Sequence, residues 1–202
     1  MKVISIQPVT TKKFRVLTEG QPAFVLYKSE LSRYGIREGQ EITEEAFDEI
    51  MNQLLPQRAK KYAMNLLVRA DRTEKELMDK LNRAGYPQEV ADLAMDYVRS
   101  FGYIDDERYA RQYLETFQER QSVRQLTWKL QQKGISKELT ERVLEDCEIK
   151  DTEKTIRNLV EKRLRSGKTI SSDKEMRIMA AYLGRRGFTG EEVWRVLKSY
   201  QS

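Results

Sequence analysis

Asp105-Asp106-Glu107 is the one run of three consecutive acidic residues, the residue type that holds divalent cations, and Ser166-Gly167-Lys168-Thr169 resembles the end of a phosphate-cradling loop. Neither spacing suits the chemistry. A divalent ion needs oxygens converging on one point, whereas successive positions at a helix start point about 100° apart. The run follows Gly102-Tyr103-Ile104 and precedes Arg108-Tyr109-Ala110, so its expected work is to cap the next helix and neutralise that helix's positive end. In a phosphate-binding loop ahead of Lys168, the first glycine would stand where Lys162 stands, and a strand would come before it, where the pattern here is helical. The single cysteine, Cys147, excludes an internal disulfide and a cysteine-rich zinc site, and its place in the pattern described below is one of core packing. The chain has no histidine, which removes the commonest general base and the commonest metal ligand together. The expectation is a protein that is not an enzyme and has no catalytic residue, no metal and no cofactor.

The basic residues are the stronger candidates. Net charge is −1 over residues 1–56, +2 over 57–103, −1 over 104–150 and +5 over 151–202, so the last stretch alone equals the +5 of the whole chain. Within it Lys154, Arg157, Lys162, Arg163, Arg165 and Lys168 fall on one helix and its exit, and Arg185-Arg186 close the next helix. A solvated face whose last-turn cations favour the helix dipole accounts for some of them. A footprint for phosphate or an acidic partner accounts for them equally. The candidate contacts are Arg124, Lys129 and Lys133 in the middle of the chain and Lys162, Arg163, Arg165, Lys168, Arg185 and Arg186 near its end. Trp128 and Trp194 lie on helices, where core or partial core is the expected role and base stacking the alternative.

The elements that carry these residues recur. Gly85, Gly134 and Gly187 each follow a leucine four positions earlier (Leu81, Leu130, Leu183) and precede a large apolar residue (Tyr86, Ile135, Phe188). Upstream lie the pairs Ala63/Leu67, Ala110/Leu114 and Val160/Leu164, and downstream Ala94-Met95, Val143-Leu144 and Val196-Leu197. A period of 49 to 53 residues between these glycines signals an array of supersecondary units. Cys147 occupies the place of Val98 and Tyr200 in the other units. Thr73 to Glu76, Ser122 to Gln125 and Ser172 to Glu175 have capping-box spacing and open a second helix in each unit. The glycines end that helix in the left-handed conformation. Pro87, as a first-turn proline, and Ser136 and Thr189, as N-cap hydroxyls, open the third.

Ahead of the repeats, Lys13–Thr18 and Ala23–Tyr27 have strand character around Glu19-Gly20-Gln21-Pro22, which reads as a hairpin. Leu31-Ser32-Arg33-Tyr34-Gly35 reads as a brief helix stopped by glycine, and Thr43-Glu44-Glu45 opens a longer one. The expected fold is mainly α: an N-terminal hairpin and helices over 1–56, then three-helix repeats over 57–103, 104–150 and 151–202. Units this small stabilise one another by stacking, so an elongated curved rod is expected, with the hairpin either shielding the first repeat or adding a binding surface. No stretch of 18 apolar residues is present to span a membrane, and the first residues lack the apolar core of a secretory signal. A cytoplasmic monomer is expected.

Phe101-Gly102-Tyr103-Ile104-Asp105-Asp106-Glu107-Arg108-Tyr109-Ala110, with Arg72-Thr73-Glu74-Lys75-Glu76-Leu77, Lys80-Leu81 and Gly85 upstream and Lys129-Leu130-Gln131-Gln132-Lys133-Gly134-Ile135 downstream, resembles the RecX family of bacterial recombination regulators. Gly20-Gln21-Pro22-Ala23-Phe24 and Leu31, Gly35-Ile36 and Gly39 are similar to its longer Gram-positive members. The resemblance implies a non-enzymatic protein that binds the RecA filament, lies along its groove and represses strand exchange and ATP hydrolysis. It also implies that the motif residues Gly102 to Ala110 are structural. Composition and spacing do not point to RecA. They are compatible with contacts to protein, to the phosphates of single- or double-stranded DNA, or to both, and with a separate reading as an autonomous helix-turn-helix-like DNA-binding protein or transcription factor.

Stacked in line, three repeats give a radius of gyration above about 20 Å, against roughly 16 to 17 Å for one compact domain of this length. Small-angle scattering distinguishes the two, and a value at the compact end contradicts the rod.

Overall fold

The computed structural model describes residues 1–148 and 150–200, in two compact units, Met1–Asp105 and Asp106–Ser202. The first unit opens with an antiparallel meander of three strands, β1 (Val3–Pro8), β2 (Lys13–Thr18) and β3 (Gln21–Tyr27), in the order β1-β2-β3. The expected hairpin is β2-β3, with two differences. β3 begins at Gln21, so the loop is only Glu19-Gly20, with Gly20 at φ +72°. Pro22 is tolerated inside β3 because that strand is an edge. The third strand, β1, was not anticipated: Val-Ile-Ser-Ile-Gln-Pro pairs along the free edge of β2, from Val3 opposite Thr18 to Pro8 opposite Phe14.

Helix α1 (Lys28–Arg33) follows, and α2 (Glu44–Glu49) starts behind the Thr43 N-cap, whose hydroxyl accepts from the Ala46 amide. Helical structure continues without a break through a π-helical turn, Ile50–Leu54, into α3 (Leu55–Arg69). Pro56 accounts for the turn. It lacks an N–H, and its ring would strike the carbonyl four residues back in a regular α-helix, a conflict that one wide turn relieves. α4 (Glu74–Arg83) and α5 (Gln88–Ser100) complete the first three-helix repeat.

One hydrophobic core serves the sheet and this repeat together: Val3, Val16, Phe24 and Leu26 pack with Leu55, Ala59, Ala63, Leu77, Leu81, Ala94, Met95 and Ile104. β3 is buried on both faces. Val25 points away from Phe24 and Leu26, and a Cβ at Gly85 would lie 2.3 Å from its Cγ2. Arg58 on α3 reinforces the join, donating to Glu30 at 2.8 Å and lying over the Tyr27 ring at 4.5 Å.

The second unit holds two more repeats: α6 (Asp106–Phe117), α7 (Val123–Gln132) and α8 (Lys137–Asp146), then α9 (Thr152–Arg165), α10 (Asp173–Gly184) and α11 (Gly190–Lys198). Each has its own core. Ala110, Leu114, Leu126, Leu130, Ile135 and Val143 form the first, with half-buried Cys147 against it as expected; Ile156, Val160, Met176, Leu183, Phe188, Val196 and Leu197 are among those forming the second.

The repeat punctuation follows its chemistry. Gly85, Gly134 and Gly187 have φ of +84°, +92° and +88°. Behind the first two, the Tyr86 and Ile135 amides reach back to the Leu81 and Leu130 carbonyls, so the leucine and the glycine belong to one helix-ending motif. Thr73 and Ser172 form full capping boxes with Glu76 and Glu175, and the Ser122 hydroxyl accepts from the Gln125 amide. Pro87 corrects the expectation: at φ −56° and ψ 152° it is the extended N-cap of α5 rather than its first helical residue.

Gly187 repeats the close approach of Gly85. A Cβ there would meet Ser122 Oγ at 2.4 Å and Gln125 Cβ at 2.5 Å, at the start of α7. Gly102 also has a positive φ, of +64°, but faces open space. Gly102→Ala is therefore expected to cost the left-handed strain alone, about 1–2 kcal/mol. Gly85→Ala and Gly187→Ala add a steric collision and should cost about 1–3 kcal/mol more. Urea denaturation followed by circular dichroism checks the order, and equal midpoints for the three variants would contradict the packing described.

Candidate nucleic-acid interface

The turn that brings Gly187 onto α7 also gathers charge. The Ser122 amide, at a helix start where amides have no partner in the helix, donates to the Arg186 carbonyl at 2.9 Å, and Arg124 Nη2 donates to the Gly187 carbonyl at 3.1 Å. The Arg186 guanidinium lies over the ring of Tyr182, one turn back on α10, with Cζ 3.7 Å from the centroid, and Nη1 donates to the Tyr182 carbonyl. Arg163, near the end of α9, lies over the same ring at 4.2 Å. Through that shared centroid the two guanidinium carbons are held within about 8 Å of each other.

Neither arginine has a carboxylate partner among the described residues. Their mutual repulsion in water is about 0.5 kcal/mol, which the two cation–π contacts, ~0.5–1 kcal/mol each at exposed sites, offset. What remains is a pair of planar donor forks in fixed positions, the geometry that phosphate oxygens accept from.

Beside them a small cavity of about 190 Å³ is lined by Arg163, Lys168, Thr169, Glu175 and Ile178 among others. Glu175 orders its rim: the carboxylate accepts from Thr169 Oγ1 at 2.6 Å, from the Ser171 amide and hydroxyl, and from the Ser172 amide. These hydrogen bonds hold its pKa down at about 2, so it stays ionised and turned toward the loop.

The expected candidates thus separate. Arg124, Arg163 and Arg186 come together, with Lys168 on the Arg163 cavity; Lys162 and Arg185 are exposed on the same elements, α9 and the C-cap of α10. Arg165 is neutralised by Glu161 one turn back. Lys133 caps the other end of α7, with Nζ over the Tyr109 ring at 5.3 Å, and Lys129 is half-buried on α7.

Tyr182, which organises the arginines, was not anticipated, although its i, i+4 spacing to Arg186 is a readable sign. Equally readable is the run Arg120–Lys137, with five cations and no acidic residue. Trp128 and Trp194 are partial core at most: they are 53% and 39% exposed, and the repeat cores are formed by other residues of their helices, Leu126 and Leu130 on α7 and Val193, Val196 and Leu197 on α11.

The motif Gly102 to Ala110 is built into both units. Gly102 ends α5, and the Tyr103 amide reaches the Val98 carbonyl; Ile104 is in the first unit's core and Ala110 in the α6 core. Tyr103 stacks on Phe101 and Tyr109 on Tyr113, while Arg108 is exposed. Asp105 immediately precedes α6, and Asp106 and Glu107 occupy its first turn, where Glu107 pairs with Arg111 and Arg142. Among the described residues no group of three or more acidic or cysteine side chains is arranged to hold a metal ion.

Comparison with known proteins agrees with this architecture. Family models described as the first, second and third three-helix domains of RecX match residues 59–97, 105–144 and 151–197. Regulatory protein RecX of Caldanaerobacter subterraneus subsp. tengcongensis is 32% identical over 189 residues, 93% of each chain. The chain belongs to the RecX family. A Clostridium tetani regulatory protein RecX is 24% identical over 96% of this chain and 91% of its own. A crystal structure of regulatory protein RecX shares the fold over 98% of both chains, with a TM-score of 0.60 at 20% identity. RecX from Lactobacillus salivarius matches 72% of this chain and 96% of its own, with a TM-score of 0.57 at 19% identity. No described helix is long and apolar enough to cross a membrane.

If Arg163 and Arg186 each hold a phosphate, Arg163→Gln with Arg186→Gln lowers the slope of log affinity against log salt for duplex DNA by about 2, since each phosphate contact contributes roughly 0.9. Arg165→Gln, whose charge Glu161 already neutralises, leaves it nearly unchanged. Fluorescence anisotropy of a labelled oligonucleotide across a salt series measures both, and equal slopes for all chains would assign these arginines to a solvated face.

Proposed function

We propose that the chain is a non-enzymatic regulator that binds the RecA recombinase filament on DNA, lies along its groove and represses strand exchange and ATP hydrolysis. The observation that carries this reading is the kinship over nearly the whole chain with proteins named as regulatory RecX, 32% identical in the nearer case reported above. The arrangement of the second unit supports it. Two unpaired arginines suit a partner composed of protein and nucleic-acid phosphate. Serial repeats that each contribute a weak contact gain avidity on a polymeric partner, since every contact after the first is intramolecular. The protein needs no cofactor for this and acts as a monomer in the cytoplasm, with the repeats as its domains at 57–103, 104–150 and 151–202 behind an N-terminal element.

ATP turnover by preassembled recombinase filaments tests the proposal. Full-length protein at saturation suppresses turnover. A chain ending at Lys150 keeps the separate core of the second repeat but loses the Arg163–Tyr182–Arg186 cluster, and its inhibition falls by about 10²-fold or more, beyond an additive loss. Circular dichroism confirms that the shortened chain is helical. Unchanged turnover with the full-length chain, together with selective binding to one duplex sequence, would overturn the regulator in favour of an autonomous DNA-binding protein.

A further inference from the structure

Trp128 is an unusual residue to leave in water. It stands midway along α7, 53% exposed, a large aromatic whose burial would stabilise the fold. Among the described residues no ring stacks on it and no cation lies over it, unlike Tyr182, which carries two guanidinium groups. More than half of its surface is open to solvent, and among the described residues no aromatic or cationic side chain occupies the indole face.

Its surroundings select a ligand. Arg124 lies four residues earlier on the same helix, so the two side chains share one face with Cβ atoms roughly 5–6 Å apart. Arg124 is tied to the Gly187 carbonyl, next to Arg186, which shares Tyr182 with Arg163. From Arg120 to Lys137 the chain has no carboxylate. An apolar π-face beside fixed cations is the pairing that single-stranded nucleic acid recognises: phosphates on the guanidinium groups, a base on the ring. A closed duplex cannot use it, because its base faces are covered by their neighbours in the stack. Trp194 provides the contrast. Glu191, three residues before it, places a carboxylate on its face, and Arg195 beside it is spent on Glu191 and Glu153.

We infer that Trp128 is a base-stacking residue, and that the face it shares with Arg124, Arg163 and Arg186 takes unstacked bases of single-stranded DNA in preference to a closed duplex. The inference rests on the reading of this face as a contact to the DNA of the filament.

The two tryptophans make the test direct. Trp194→Phe leaves Trp128 as the sole indole, and Trp128→Phe leaves Trp194. Titrated with oligo(dT) in the absence of recombinase, the full-length Trp194→Phe chain loses fluorescence and the Trp128→Phe chain does not. A duplex of the same length leaves the Trp128 signal largely unquenched. Trp128→Ala weakens oligo(dT) binding by about tenfold, within the range of one base–aromatic stack, with its helical circular dichroism intact. Quenching that persists in Trp128→Phe, equal quenching of Trp128 by duplex and single strand, or unaltered affinity of Trp128→Ala would each overturn the inference. Filament turnover separates it from the functional reading. If Trp128→Ala suppresses turnover fully and oligo(dT) affinity is also unchanged, base stacking fails while the regulator stands; if wild type leaves turnover untouched, the regulator fails as well.

Discussion

The missing Cβ at two left-handed glycines is the constraint on which much else depends. A helix that ends in an αL residue exposes its following turn as bare backbone, and in this chain that turn is an attachment point. Gly85 lets the first repeat close onto Val25 of β3, and Gly187 lets the third repeat close onto Ser122 and Gln125 of α7. Any side chain at either place would hold the surfaces apart. The glycine that ends a helix locally thus also sets how neighbouring elements meet, and so ties the repeat period to the tertiary structure.

The consequence for the candidate site is direct. With the turn seated, the otherwise orphaned Ser122 amide is satisfied by the Arg186 carbonyl, and Arg124 by that of Gly187. Arg186 is thereby fixed at the start of α7 while its side chain remains on Tyr182, where Arg163 joins it from α9. Three helices of two repeats therefore contribute to one cationic face. The excess charge of the last repeat becomes useful because the docked turn orients part of it, while elsewhere on α9 the same charge is cancelled locally, as Glu161 cancels Arg165.

Much of this was legible in the sequence because the signals are local. Leucine four residues before glycine, hydroxyl residues at helix starts and i, i+4 apolar pairs each fix a backbone conformation within a turn or two, and each appears in the structure where the period places it. The features that escaped depend on partners distant in sequence. β1 is a strand because β2 has a free edge, and its own alternation is short and ends in proline. The π-helical turn before Pro56 trades a steric conflict against hydrogen-bond register. Trp128 reads as core or partial core by type, and its position beside a core formed by Leu126 and Leu130 is what leaves it half in solvent. Basic residues are plain in the sequence, but which of them pair with a carboxylate, a ring or a carbonyl depends on the positions of Glu161, Tyr182 and Gly187.

Hydrogen exchange at one amide tests the docked turn most directly. An N-cap amide has no partner within its own helix and exchanges readily when exposed. If the Gly187 turn seats on α7 as described, the Ser122 amide is protected to nearly the degree of Leu126 within α7, and Gly187→Ala abolishes that protection while leaving Leu126 protected. Exchange of the wild-type Ser122 amide at the rate of an unstructured chain would contradict the account.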